Sequence, residues 1–200
     1  DWLVVVMSRA RDVASRDIVN GSITNDDVNA SAAIAASKLS GVVTPSSTDT
    51  LTNKTLTSPT INTATVSVPV LIGPEERCNV VAAAATGTIN FDVLTSGVWF
   101  YTSNASANFT LNFRGNSGTT LNAALATGDA ITVVFINTNG ATPFRPTVFQ
   151  IDGSAVTPLW QGGTAPTAGN ASSRDAYTFT IIKTAATPTY VVLASQTRFA

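Results

Sequence analysis

Histidine is absent from the 200 residues, and Cys78 is the only cysteine. Without histidine there can be no Ser-His-Asp triad and no Cys-His pair. A single cysteine leaves no ordinary zinc ligand set and no internal disulfide. Charge is also scarce. Asp, Glu, Lys and Arg make up 12% of the chain, about half the share in an ordinary soluble domain. The formal net charge is −1, and the eleven basic residues run from Arg9 to Arg198 with no cluster beyond Arg9, Arg11 and Arg16. Phosphate affinity needs a concentrated basic surface, so nucleic acid is not expected as a partner. Long apolar runs are missing too. The mean hydropathy is +0.22, yet nothing approaches the roughly 20 apolar residues of a spanning helix. Trp2–Met7 is too short for a signal-peptide core. No membrane insertion is expected.

In place of charge the chain carries 31 Thr, 18 Ser and 15 Asn, about a third of its residues. It falls into three parts. Residues 1–20 hold the apolar run Trp2–Met7 and then a mixed-charge stretch to Asp17. Asp1 is an odd first residue. Either the chain is cut from something longer, or Met7 is the start with six residues read upstream; both readings stand. Residues 21–77 contain one short helical pattern near 30–39. Asn29 can cap its start, alanines favour it, and Gly41 follows its end.

From residue 51 the chain divides into pentads, opened by Leu51, Leu56, Ile61, Val66 and Leu71. A period of five fits neither the 3.6 of a helix nor the 2 of a strand, and prolines at 59, 69 and 74 exclude a helix. A single extended chain cannot bury such widely spaced aliphatics, whereas two or three chains winding about one axis can. On composition alone the stretch suits a threonine-rich linker equally well; the regularity of the repeat favours the winding chain.

Residues 78–200 read differently. Strand-like runs recur at Thr86–Leu94, Gly97–Thr102, Ala107–Phe113, Ala130–Thr138, Phe144–Ile151, Ala176–Thr184 and Thr189–Ser195, separated by turn clusters such as Asn139-Gly140 and Asp152-Gly153. The run Ile131–Ile136 is apolar on both faces, the pattern of a central strand. Leu121–Leu125 suits a single helical turn. Seven or eight strands in about 120 residues point to an antiparallel β-sandwich of jelly-roll type. The expected fold class is therefore mainly β, an extended stem with a short helix followed by a C-terminal sandwich knob.

Catalytic groups are thin. Glutamate occurs only at Glu75 and Glu76. Asp92, Asp129, Asp152 and Asp175 could supply the paired carboxyls of a glycosidase, but each lies at a turn or strand end, where Asp is ordinary. Asn25, Asp26 and Asp27 lack the alternating acidic loop of a calcium site and suit a turn before Val28. Gly162-Gly163 leads into no helix and forms no phosphate loop. No enzyme activity, metal or cofactor is expected. Trp99, Phe100, Tyr101 and Trp160 could stack on sugars, although burial between sheets or subunits is the favoured reading. Cys78 is expected to be a small packed residue.

The segment Asn29-Ala-Ser-Ala-Ala-Ile-Ala-Ala-Ser-Lys-Leu39, followed by Asp49-Thr-Leu-Thr-Asn-Lys-Thr-Leu-Thr-Ser-Pro-Thr-Ile61, resembles the stalk of tailed-bacteriophage fibres, especially those of cyanobacterial and other aquatic phages. Tyr177-Thr-Phe-Thr-Ile-Ile-Lys-Thr and Val192–Ala200 are similar to the C-terminal domain of the same group, and Met7-Ser-Arg-Ala-Arg-Asp-Val to its opening. The resemblance implies a parallel homotrimer with an N-terminal anchor, a slender stalk and a β-rich tip on the virion surface. Leu51, Leu56, Ile61, Val66 and Leu71 would form the trimer seam. Trp2, Arg9, Arg11 and Arg16 would dock on a portal, neck, tail or capsid protein. Trp160, Gln161 and Asn170 would belong to a surface meeting a host glycan or envelope protein. A capsid or neck decoration protein and a small polysaccharide depolymerase tip are the competing expectations. At 200 residues the chain is short for a long tail fibre.

Overall fold

The computed structural model describes residues 69–200, together with 53, 55–58, 66 and 67. The expected helix near 30–39, the anchor residues Trp2, Arg9, Arg11 and Arg16, and the seam residues Leu51 and Ile61 lie outside the described residues. The chain divides between Val66 and Ser67, and the described strands all lie in the second unit, Ser67–Ala200.

Alternating β-branched and aromatic residues set these strands. They are β1 (Cys78–Ala84), β2 (Gly87–Asp92), β3 (Val98–Asn104), β4 (Phe109–Arg114), β5 (Ala130–Thr138), β6 (Pro146–Ile151), β7 (Ser154–Ala155), β8 (Leu159–Trp160), β9 (Arg174–Ala185) and β10 (Thr189–Phe199). One helical turn, α1 (Leu121–Ala124), interrupts them; the Thr120 side chain caps it by accepting from the Ala123 N–H. β5 coincides with the run read from sequence, and it sits inside its sheet as expected. β1 carries three alanines in seven residues, too weak a strand signal to be read from sequence.

The strands form two sheets. One has six strands in the order β1-β3-β5-β9-β10-β8, the other four in the order β2-β4-β6-β7. The fold is mainly β, but the pairing is not antiparallel throughout. β1, β3 and β5 lie parallel to one another, as do β2, β4 and β6, and β8 lies parallel to β10. Only β5–β9, β9–β10 and β6–β7 are antiparallel. The reason is the route of the connections. From β1 to β6 the chain crosses to the opposite sheet after every strand, so each strand lies on the one two places earlier. Cys78, Val98 and Val134 share one register row, and Ile89, Leu111 and Phe149 another. The winding stops at Asp152-Gly153, whose φ angles of +51° and +80° form the two-residue hairpin turn that demands positive φ at both positions.

Side chains pointing inward from both sheets make the core, and aromatic rings bridge it. Phe91 of the four-stranded sheet stacks on Trp99 of the six-stranded one at 5.2 Å, and Phe109 meets Phe135 at 5.4 Å. Phe179 is the hub, packing on Phe113 at 5.0 Å, Phe149 at 5.5 Å and Trp160 at 6.3 Å. Truncating a buried aromatic ring of this kind costs roughly 3–5 kcal/mol. Phe179→Ala should therefore lower unfolding free energy by about that much in urea titration. Val148→Ala, on an exposed face, should change it by less than about 0.5 kcal/mol.

Candidate functional site

Because strands alternate between sheets, the connections stack at the ends of the unit. One end gathers the loops 105–108 and 139–145 with the long loop 161–173. Backbone bonds tie them together: Ala105 N–H donates to Thr138 O, Phe109 N–H to Arg145 O, and Ser172 N–H to Gly140 O. Loops carried on a rigid scaffold in this way are where binding surfaces are usually built.

A buried polar cluster fixes these loops. Asn137 and Asp175 are register partners on β5 and β9, both fully buried. Asn137 Nδ2 donates to Asn139 Oδ1 and to Phe144 O, each at 3.0 Å. Asn139 returns with Oδ1 accepting from Phe144 N–H and Nδ2 donating to Asp175 Oδ2, again at 3.0 Å. Asp175 Oδ2 also accepts from Asn170 N–H at 2.8 Å. A Cβ at Gly169 would stand 2.7 Å from Phe144 O, so only glycine lets the two loops close on one another. From the other side, Arg198 Nη2 and Gln196 Nε2 donate to Ala168 O, and Asn170 Nδ2 donates to Phe199 O. The long loop is thus pinned at 168–170, and its exposed apex lies at Thr164, Ala165 and Thr167.

The residues expected at a receptor surface divide. Gln161 is exposed, in a tight turn with Gly162 and Gly163, both at φ +76°. Trp160 turns its ring inward against Phe149 and Phe179, so the indole is core rather than platform. Asn170 is half-buried and spends its backbone and side chain on pinning the loop. Trp99 is buried and Tyr101 packs on Phe135, in line with the favoured burial reading, while Phe100 faces outward with the Arg174 guanidinium 5.7 Å above its ring. Cys78 is a correction. It is exposed, not packed, because it opens the edge strand β1, which nothing among the described residues flanks.

The four aspartates serve separate structural ends. Asp92 pairs with Arg114 at 2.5 Å. Asp129 Oδ2 accepts from Ala126 N–H in a turn. Asp152 caps α1 from a distance in sequence, its two oxygens accepting from Leu121 N–H at 2.7 Å and Asn122 N–H at 3.0 Å. Asp175 is enclosed in the loop cluster. The shallow depressions beside Asp152, of about 340 and 380 Å³, include none of the other three. Lys183, also buried, donates from Nζ to Asn122 O and Leu125 O at 2.8 Å each and closes the other end of α1. Sequence reasoning missed the loop cluster, although it had a signal: Asn137 stands where the alternation of Val133 and Phe135 calls for a third apolar residue.

Compared with known protein families, curated proteins and solved structures, the chain matches none.

All three tyrosines have hydroxyls shifted upward. Burial is the main cause for each, with Asp175 adding to it at Tyr177 and Asp152 at Tyr190. The folded state therefore favours the neutral phenol. This contribution to stability is complete below the ordinary tyrosine value of about 10 and is lost as pH rises past it. Tyrosinate absorbance should stay low just above pH 10 until the protein unfolds. Tyr177→Phe should flatten the fall of stability there by about 1.4 kcal/mol per pH unit, read from urea unfolding across alkaline buffers.

Proposed function

We propose that this chain is a structural virion fibre protein of a tailed phage. It assembles as a homotrimer, is anchored by its N-terminal residues and presents its β-rich unit as a tip for host attachment. The observation that carries this reading is the aliphatic residue every fifth position leading into a two-sheet β unit. In the single chain the described members of that series, Leu56, Val66 and Leu71, are 54%, 60% and 69% exposed. Aliphatic side chains at such regular spacing gain burial only from neighbouring chains, and each fully buried one contributes about 1.5–3 kcal/mol. The low charge of the chain lets identical copies lie side by side without repulsion. The stalk wording around Leu51–Thr60 supports the same reading.

In this scheme Trp2, Arg9, Arg11 and Arg16 contact a portal, neck, tail or capsid protein. The loop apex near Thr164 and the exposed Gln161 meet a host glycan or envelope protein. Affinity comes from several tips engaging at once rather than from a deep pocket, which suits the shallow depressions of the β unit.

Light scattering of the purified full chain should give a mass near three times 20.6 kDa. Leu56→Asp with Ile61→Asp should abolish that assembly, since each uncompensated buried charge costs several kcal/mol. A monomeric wild-type chain would overturn the trimer and make a decoration role on another virion protein the better account.

A further inference from the structure

We propose that the outer face of the six-stranded sheet is the surface through which copies of this chain meet in their β units. The inference rests on the proposed self-association of the chain, and it assigns a surface that the stem pattern does not.

The outer faces of the two sheets differ in kind. On the four-stranded sheet Asn90 accepts from Asn112 Nδ2 at 2.8 Å, Asp92 pairs with Arg114, and Gln150 continues the Asn row. That face is mostly polar, with Val148, 44% exposed, as its aliphatic exception. On the six-stranded sheet the corresponding rows hold Val98, Phe100, Val134 and Ile136, and towards the far edge Leu193 and Leu159, 44% and 62% exposed. A shallow depression of about 370 Å³ lies between these last two. Sheets with parallel strands are ordinarily covered on both faces, and their strands then read as continuous apolar runs. β5 has that reading. Its inner residues Val133 and Phe135 are buried between the sheets, and its outer residues Val134 and Ile136 are the part of the pattern left uncovered by the β unit.

The occupant follows from charge and from the path of the chain. Among the strand residues of this face Arg174 is the one ionised side chain, and it lies in the end row over Phe100. The face offers a charged partner almost nothing to pair with. In the proposed trimer three copies can turn this face towards one shared axis without bringing like charges together across its centre. The exposed Val70, Leu71 and Ile72, of the same unit, precede β1, the edge strand of this sheet, by the five residues 73–77. Copies that associate through Leu71 and its neighbours would therefore meet near the edge of this sheet.

Cross-linking in the full chain tests the assignment. In a Cys78→Ser background, Thr180→Cys places a thiol at the centre of the face, and Thr110→Cys places one on the outer face of the four-stranded sheet. Both threonines are half-buried and outward. With a short bis-maleimide, T180C should yield covalently joined copies at least tenfold more than T110C, with light scattering run on the same samples. A multimeric mass without T180C cross-linking would overturn the surface assignment and leave the fibre reading standing. A monomeric mass would overturn both. A monomer whose T180C thiol resists labelling would show that the chain's own N-terminal residues cover the face.

Discussion

Aromatic packing between the two sheets is the interaction on which the rest of this unit depends. Each coil of the chain contributes one strand to each sheet, so neither sheet has an apolar floor until the other is in place. Phe91 on Trp99, Phe109 on Phe135, and Phe179 and Trp160 on Phe149, with Phe179 also on Phe113, join strands from opposite layers. Backbone pairing then fixes the order of strands within a layer, while these rings fix one layer on the other. The loop cluster around Asp175 and the helical turn held between Asp152 and Lys183 are built on that frame. Each uses buried polar atoms that would be costly without the rigid surroundings that satisfy most of them.

Much of the local structure was legible in the sequence. Ala130–Thr138 shows its strand through β-branched density, Tyr177, Phe179 and Ile181 through alternation, and Asp152-Gly153 through turn chemistry. Whether neighbouring strands run parallel was not legible. Turn signals say where a strand ends, not whether the next strand returns beside it or crosses to the facing sheet. That choice is set by contacts such as Cys78 with Val98 and Val98 with Val134, far apart in sequence. The same limit hid the loop cluster, because Asn137, Asn139 and Asp175 carry no local pattern that brings them together. Trp160 shows the converse case: a residue type suited to sugar stacking is drawn inward by Phe149 and Phe179.

The two outer faces give the unit a polarity that composition conceals. Summed over the chain, few charges and many threonines suggest a uniformly bland surface. In the fold those residues separate. The Asn90–Asn112–Gln150 row and the Asp92–Arg114 pair lie on one side, and an aliphatic field broken by threonines lies on the other. The assembly proposed above, with copies meeting on the aliphatic side, would make use of that separation.

The order of strands in the larger sheet also bears on when the protein can fold. β9, inside that sheet, and β10 beside it come from residues 174–199, and β8 joins only through β10. A ribosome that has released everything up to residue 173 has produced β5 with an unpaired edge and half of the layer missing. The winding strands must wait for residues 174–199 before the core can close, and contacts of such long sequence separation form slowly. In the trimer we propose, residues 51–71 emerge before this unit can close. Copies translated from one message would begin to associate there while their β units are still incomplete, and the register of the assembly would be set in the order of translation.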